Sequence, residues 1–359
     1  MTDDSVTDDD ALLDLQRYGW TDRVSRAVAA HRPQGDQIGR VIRVDRGVDT
    51  VRLPGLSIAC ERVHPAYRSA RLASPPAVGD WAFVVEDEGG PAVVDLLPRW
   101  GTLSRRDPAG RDREQVVVAN VDLALLTFGL DRPREGRVER ALALVHAGGA
   151  EPLIVLTKAD MAKHRDRTMR RLDTLAPDVP RVETSTATGQ GLDELTALIA
   201  EHGTAALLGA SGTGKSSLVN RLVGREVQGI GEVRSGDRRG RHTTTGRELF
   251  PAPTGGVIVD TPGLRAMGLW EETGVEQAFP DIDALGEHCR FRDCAHRGEP
   301  GCAVAEAVLR NELDPRRVAR FQALQDELSA LDHRRQQREW AQSDRSRPGS
   351  ARRSRPGPS

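Results

Sequence analysis

Apolar positions along this chain change their spacing from region to region, and each change marks a different kind of structure. From Ile38 to Leu97 they fall in short runs rich in β-formers: Ile38–Val44, Thr50–Leu53, Leu56–Cys60, Trp81–Val85 and Ala92–Leu97. Glu88-Gly89-Gly90 reads as the turn of a hairpin. Five short strands fit a small β-barrel of the oligonucleotide-binding (OB) type over residues 36–98, and the pattern alone suits another small β-domain equally. Strand–helix alternation follows over residues 114–278. It comprises a buried strand within Val116–Phe128, a helix at Arg137–Val145 and a strand at Pro152–Leu156, then a helical run Met161–Leu175. Val182–Thr184 (strand), Leu192–Ile199 (helix) and Ala205–Leu208 (strand) complete the series. This order predicts a parallel α/β sheet with helices on both faces. Within residues 279–335 a Cys/His-bearing loop precedes Asp314-Pro315, a good N-cap and first-turn pair. Val318, Phe321, Leu324, Leu328 and Leu331 then recur at helical spacing. Residues 1–35 read as a flexible arm with an amphipathic patch at Leu12, Leu13 and Leu15, residues 99–113 as an Arg-rich linker, and residues 336–359 as a disordered basic tail.

Composition agrees with several domains in one folded chain: 359 residues, 38% hydrophobic, with 36 glycines. No apolar run is long enough for a membrane span, and the acidic N-terminus lacks the apolar core of a secretory signal, so a cytoplasmic protein is expected, without a membrane partner. The net charge of −2 conceals segregation. Met1–Asp10 holds five acids and no base, whereas His333–Ser359 holds eight arginines against two acids. Further arginines gather at Arg99–Arg113 and Arg234–Arg241, patches that phosphate-rich RNA can meet despite the neutral total. Only Lys158, Lys163 and Lys215 are lysines; the other 48 basic residues are arginines.

One of those lysines completes Gly209-Ala210-Ser211-Gly212-Thr213-Gly214-Lys215-Ser216, a full phosphate-binding pattern between a strand and an apolar helix that runs on through Ser217. Its glycines let backbone N–H groups turn inward around phosphate oxygens, and the helix N-terminus adds its positive dipole end. Lys215 is placed for the outer phosphates and Ser216 for Mg2+. A second lysine lies in Thr157-Lys158-Ala159-Asp160, at the end of the strand Pro152–Leu156, which resembles the Asn-Lys-x-Asp signature of GTPases. There the Asp carboxylate accepts the two N–H donors of the guanine edge and the lysine stem packs on the base. Thr157 departs from the signature, and one hydroxyl in place of an amide costs about 0.5–1.5 kcal/mol. Thr184 and Ser185, ending the next short strand, resemble the weaker second base-contacting motif.

In ordinary GTPases the phosphate loop comes first and the base motifs last; here the order is inverted, as in a circularly permuted G domain, whose sheet survives relocation of chain ends. Arg241-His242-Thr243-Thr244-Thr245 follows the loop and resembles the switch whose threonine, Thr243 or Thr244, meets Mg2+ and the γ-phosphate. Asp260-Thr261-Pro262-Gly263 resembles the Asp-x-x-Gly switch, with Asp260 near the metal and the Gly263 amide near the γ-phosphate. Leu264 stands where many GTPases carry a water-orienting Gln, which makes His242 the candidate to position the attacking water.

Cys289, Cys294, His296 and Cys302 offer three thiolates and an imidazole within fourteen residues, a closed donor set for one structural Zn2+; His288 is the rival nitrogen. Taken together, these features resemble the ribosome small-subunit-dependent GTPase A family of circularly permuted bacterial GTPases, over about Ile38 to Leu331, including Cys289-Arg290-Phe291-Arg292-Asp293-Cys294-Ala295-His296. The resemblance implies a multidomain fold: an OB-type barrel, a permuted α/β P-loop GTPase domain and an α-helical zinc-binding C-terminal domain. It also implies GTP and GDP as ligands, and a monomer acting in late maturation of the small ribosomal subunit, binding its 16S-type rRNA and hydrolysing GTP when the subunit stimulates it. The alternatives are an RNA-binding assembly factor whose nucleotide is only structural, and an ATP-using P-loop enzyme, which Asp160 disfavours.

Overall fold

In a computed structural model, residues 13–32, 34–106, 114–131, 133–210, 212–227, 247–261 and 273–346 are described. The N-terminal module is built on β1 (Gln37–Asp45), β2 (Val48–Leu53), β3 (Leu56–Glu61), β4 (Trp81–Asp87) and β5 (Gly90–Leu96). Strand β1 pairs antiparallel with both β2 and β4, and β2–β3 and β4–β5 are hairpins. A short helix, α2 (Pro65–Ala70), lies between β3 and β4. It follows α1 (Asp22–Ala30), which lies in the stretch expected as a flexible arm. That stretch is held down because Leu15 and Val24 pack against Trp81, Phe83 and Leu97, and Asp14 takes both nitrogens of the Arg52 fork.

Within the stretch expected as a linker, the described residues 99–106 are held in place. Its β6 (Thr102–Arg106) forms an antiparallel ladder with β7 (Glu114–Ala119), and Leu103 is buried opposite Val118. Arg99 is spent on Asp80, Ser74 and the Pro75 carbonyl, so it is not a free basic side chain. The apolar stretch from Val116 holds two strands rather than one, because Asn120 turns the chain at a positive φ of 56° before β8 (Leu123–Gly129) begins.

The central sheet then takes β9 (Glu151–Thr157), β10 (Arg181–Glu183), β11 (Thr204–Gly209), β12 (Arg247–Pro251) and β13 (Val257–Asp260), in the spatial order β10-β9-β8-β11-β13-β12. All are parallel except β12. Side chains alternate between two cores, which is why these strands read as unbroken apolar runs. Leu126, Ile154, Leu156 and Leu208 face α3 (Glu135–Ala147) and α4 (Arg165–Leu175). Leu125, Val155, Leu207 and Ile258 face α5 (Leu192–His202) and α6 (Lys215–Val223). The expected helical run from Met161 starts later, at Arg165, because Ala159–Met161 is a separate 3-10 turn. The Asp131 carboxylate accepts the Lys163 and His164 N–H groups just before the helix.

Beyond the sheet, α7 (Thr273–Ala278), α8 (Pro280–Gly286), α9 (Ala303–Leu309) and α10 (Pro315–Ser346) form a helical module on α3. Gly274 permits the closest approach: a Cβ there would lie 2.3 Å from the Ala143 carbonyl oxygen. Helix α10 continues to Ser346, into the first part of the segment 336–359 expected to be disordered, where Arg, Gln and Glu propagate a helix. No described helix is long and apolar enough to cross a membrane.

Candidate nucleotide and metal sites

Strand order reverses at the β8–β11 pair: the chain moves outward from β8 through β9 to β10, then returns to the other side of β8. Open α/β sheets bind ligands at the carboxyl ends of strands beside such a reversal. The phosphate loop leaves the carboxyl end of β11 there, with Gly212 and Gly214 at φ of 82° and 91°, values that side chains with a Cβ rarely adopt. Helix α6 begins at Lys215, so its first-turn amides, with Ser216 and Ser217 half-buried, face the crevice end of the sheet.

The base-reading segment reaches the same crevice from β9. The Thr157 hydroxyl lies 2.6 Å from the Thr213 carbonyl oxygen and 3.1 Å from that of Phe128. Lys158, in the left-handed region at φ 60°, donates through Nζ to the Gly212 carbonyl at 2.9 Å. Two consecutive residues of one motif are thus tied to two residues of the other, more than fifty positions away. Asp160 is exposed, and its Oδ1 accepts the Ser185 hydroxyl at 2.5 Å. Ser185 Oγ accepts in turn from the Thr188 N–H, and Ala159 N–H donates to the Thr184 carbonyl. The second weak motif therefore acts as a brace for the Asp160 carboxylate.

On the other side of the loop, Lys215 Nζ donates to the Thr261 carbonyl at 3.0 Å and stands 3.7 Å from Asp260 Oδ1. That oxygen is buried and has no hydrogen-bond partner. Burial pushes the Asp260 carboxyl above its ordinary value, with the Lys215 charge opposing the shift. A buried carboxylate oxygen with only the Lys215 ammonium near it is the kind of hard donor that suits a divalent cation. Ser211, His242, Thr243, Thr244 and Gly263, also expected at this site, lie outside the described residues, as do the other residues of 241–245 and Leu264.

Sequence reasoning passed over Thr127 and Thr261. Thr261 donates through its hydroxyl to the Leu207 carbonyl, and Thr127 to that of Leu208, each a buried contact between strands. Thr127 belongs to no contiguous pattern, and a threonine in an apolar strand carries no signal beyond β-propensity; Thr261 stands at a position of the Asp-x-x-Gly switch that the pattern leaves open.

The second cluster is formed by the loops between α8 and α9. One ligand atom from each of Cys289, Cys294, His296 and Cys302 lies within 4.8 Å of every other. His296 Nδ1 is 3.6 Å from both Cys289 Sγ and Cys302 Sγ, and these two sulfurs are 4.0 Å apart. A tetrahedron with bonds of about 2.3 Å has edges near 3.8 Å, so the four donors can hold one metal ion; a disulfide would need sulfurs about 2 Å apart. His296 reaches inward because its backbone takes φ 57°, and its carbonyl accepts from Gln322 on α10.

Comparison with known proteins shows the family. Residues 96–270 match the RsgA GTPase family. The small ribosomal subunit biogenesis GTPase RsgA of Streptomyces avermitilis is 42% identical over 316 residues, covering 86% of this chain and 84% of that protein. The chain belongs to the RsgA GTPase family. Among solved structures, YjeQ from Thermotoga maritima matches this RsgA-family chain with a TM-score of 0.58 at 26% identity, covering 81% of this chain and 98% of that one. YloQ, described as a circularly permuted GTPase, shares the fold with a TM-score of 0.58 at 24% identity, over 84% of this chain and 97% of that one. The RsgA-family fold here is accordingly a β-rich N-terminal module, a permuted GTPase domain and a C-terminal module with a Cys/His cluster.

Proposed function

We propose that this protein is a GTP hydrolase acting in late maturation of the small ribosomal subunit, where it meets rRNA and turns over GTP under stimulation by the subunit. The observation that carries the reading is the tether between the two nucleotide motifs: Thr157 and Lys158 hold Thr213 and Gly212, so a guanine-type motif and a phosphate loop open onto one crevice. Asp160, braced by Ser185, reads the guanine edge. The Gly209–Gly214 backbone with Lys215, Ser216 and Ser217 takes the phosphates, and the Gly263 amide takes the γ-phosphate. Ser216, Asp260 and Thr243 or Thr244 would hold Mg2+, which would supply neutralisation of phosphate charge. Leu264 cannot orient water, which leaves His242 as the water-positioning group and makes unstimulated turnover slow. The Cys289/Cys294/His296/Cys302 site takes one structural Zn2+, with no ligand position left for water. The protein works as a cytoplasmic monomer.

The decisive measurement is GTP hydrolysis with and without purified small subunits, with ATP as control. Subunit-dependent turnover of GTP alone supports the reading. Tight guanine-nucleotide binding without turnover in either condition would replace it with an assembly factor whose nucleotide is structural. His242→Ala should bind GTP normally and lose subunit-stimulated turnover; unchanged turnover removes His242 from the mechanism.

A further inference from the structure

Among the described residues, the side chain touching the phosphate loop that no motif accounts for is Thr127. It lies opposite Gly209 in the last pair of the parallel ladder between β8 and β11, and is fully buried. Its hydroxyl donates to the Leu208 carbonyl at 2.9 Å, at the last rung before β11 opens into the loop. It also lies 3.4 Å from the Thr213 hydroxyl, which itself spans the loop to the Ala210 carbonyl at 2.8 Å. A Cβ placed on Gly209 would fall 2.0 Å from Thr127 Oγ1 and 2.8 Å from the Thr127 carbonyl oxygen. Thr127 therefore occupies the space against which the first glycine of the loop turns.

We propose that Thr127 is a positioning residue for nucleotide binding: its hydroxyl clamps the Leu208 carbonyl and seats Gly209 and Thr213, setting the curvature that aims the loop amides at the phosphates. The clamp lies beneath the loop and touches no nucleotide atom. The physical reason is the end of the sheet. The β11–β8 ladder ends at the pair Gly209 with Thr127, while β8 runs on to Gly129, so β11 turns away from its neighbour at this residue. The Thr127 hydroxyl adds a side-chain hydrogen bond to the buried Leu208 carbonyl at that point, fixing where the turn into the loop begins. Valine at 127 would put a methyl group where an oxygen sits 2.9 Å from that carbonyl, pushing the loop as well as stripping the donor; alanine strips the donor alone. The inference rests on the reading of the loop as a nucleotide site.

The test is equilibrium binding of GDP and GTP to the full-length chain, together with steady-state GTPase kinetics and thermal unfolding without nucleotide. Thr127→Val and Thr127→Ala should each weaken both nucleotides by about tenfold, and Thr127→Ser should restore affinity to within about threefold. At saturating GTP with subunits, kcat should change less than KM. Thr196→Val, which removes a partly buried hydroxyl bonded to the Leu192 carbonyl within α5, is the control for loss of a threonine hydroxyl bond away from the loop, with native affinity expected. Two results overturn the proposal: native affinity in Thr127→Val and Thr127→Ala, or a loss that serine does not rescue. A native protein that binds neither nucleotide would instead refute the underlying reading of the site.

Discussion

Thr157 shows how one hydroxyl can meet a structural need usually assigned to an amide. It reaches the loop carbonyl of Thr213 and that of Phe128, so the departure from the GTPase signature leaves the base segment fastened to the phosphate loop. The cost falls on the second bond, because one proton serves two acceptors. Thr157→Val should weaken GDP binding about five- to tenfold by leaving the Thr213 carbonyl without that donor, whereas Thr157→Asn should bind at least as tightly as the native protein. Isothermal titration of both variants decides this. At this scale the contiguous motifs were legible, since a phosphate loop is a backbone conformation written in adjacent glycines. The partners of Lys158 and Asp160 were not: Gly212 and Ser185 are chosen by where three strands end.

Between elements, the largest departures from expectation come from docking. Arg317 on α10 is buried with Glu139 of α3, and its fork also takes Asp281 of α8, while Arg320 shares Glu139. The guanidinium of Arg317 lies 4.8 Å from the Phe279 ring centre, and Phe279 meets Phe321 edge-on. Removing one partner of such a network leaves a buried charge, so Arg317→Met should cost about 3 kcal/mol in denaturant unfolding, and Glu139→Leu in the same chain should recover part of it. At the other edge, β12 pairs with β13 on one side and with β1 of the N-terminal module on the other, through Arg43 with Glu248 and Val44 with Arg247. The sheet thus runs from the GTPase domain into the N-terminal module, and β12 directly follows the segment 241–245. If γ-phosphate contacts set that segment, amide exchange at 42–45 should slow with a non-hydrolysable GTP analogue relative to GDP. Exchange that is identical in the two states would uncouple the N-terminal module from the nucleotide.

Across the whole molecule, the Cys289/Cys294/His296/Cys302 cluster, which can hold a metal ion, belongs to the C-terminal module and is tied to its helices. Its loop binds α10 through Gln322 and the Arg297–Asp326 pair, and Cys302 caps α9 by accepting from the Ala305 N–H. If the cluster holds the proposed zinc, a strong chelator should release one ion per chain and loosen 289–302 and α9, while GDP affinity changes less than about twofold because, among the described residues, no contact links the four ligands to the phosphate loop. Metal analysis with parallel nucleotide titration checks both halves. The N-terminal module is fastened in part by the fully buried Arg40, which donates to Thr204 Oγ1 at the start of β11 while its guanidinium lies 4.7 Å from the ring of Trp81 in its own module. Burial lowers the Arg40 guanidinium to about 10, with Asp122 and Asp80 opposing the shift, so it stays charged at neutral pH. By itself the sequence determined what is local: strand and helix periods, the loop glycines, the donor types of the metal cluster and the inverted order of motifs. Tertiary structure alone decided that β12 joins two modules, that 13–30 is docked, that Thr127 underlies the loop, and that Arg317 meets Glu139. Backbone conformation and ligand chemistry are properties of neighbouring residues. Partner choice across 178 positions, as between Arg317 and Glu139, depends on which faces the packed core brings together.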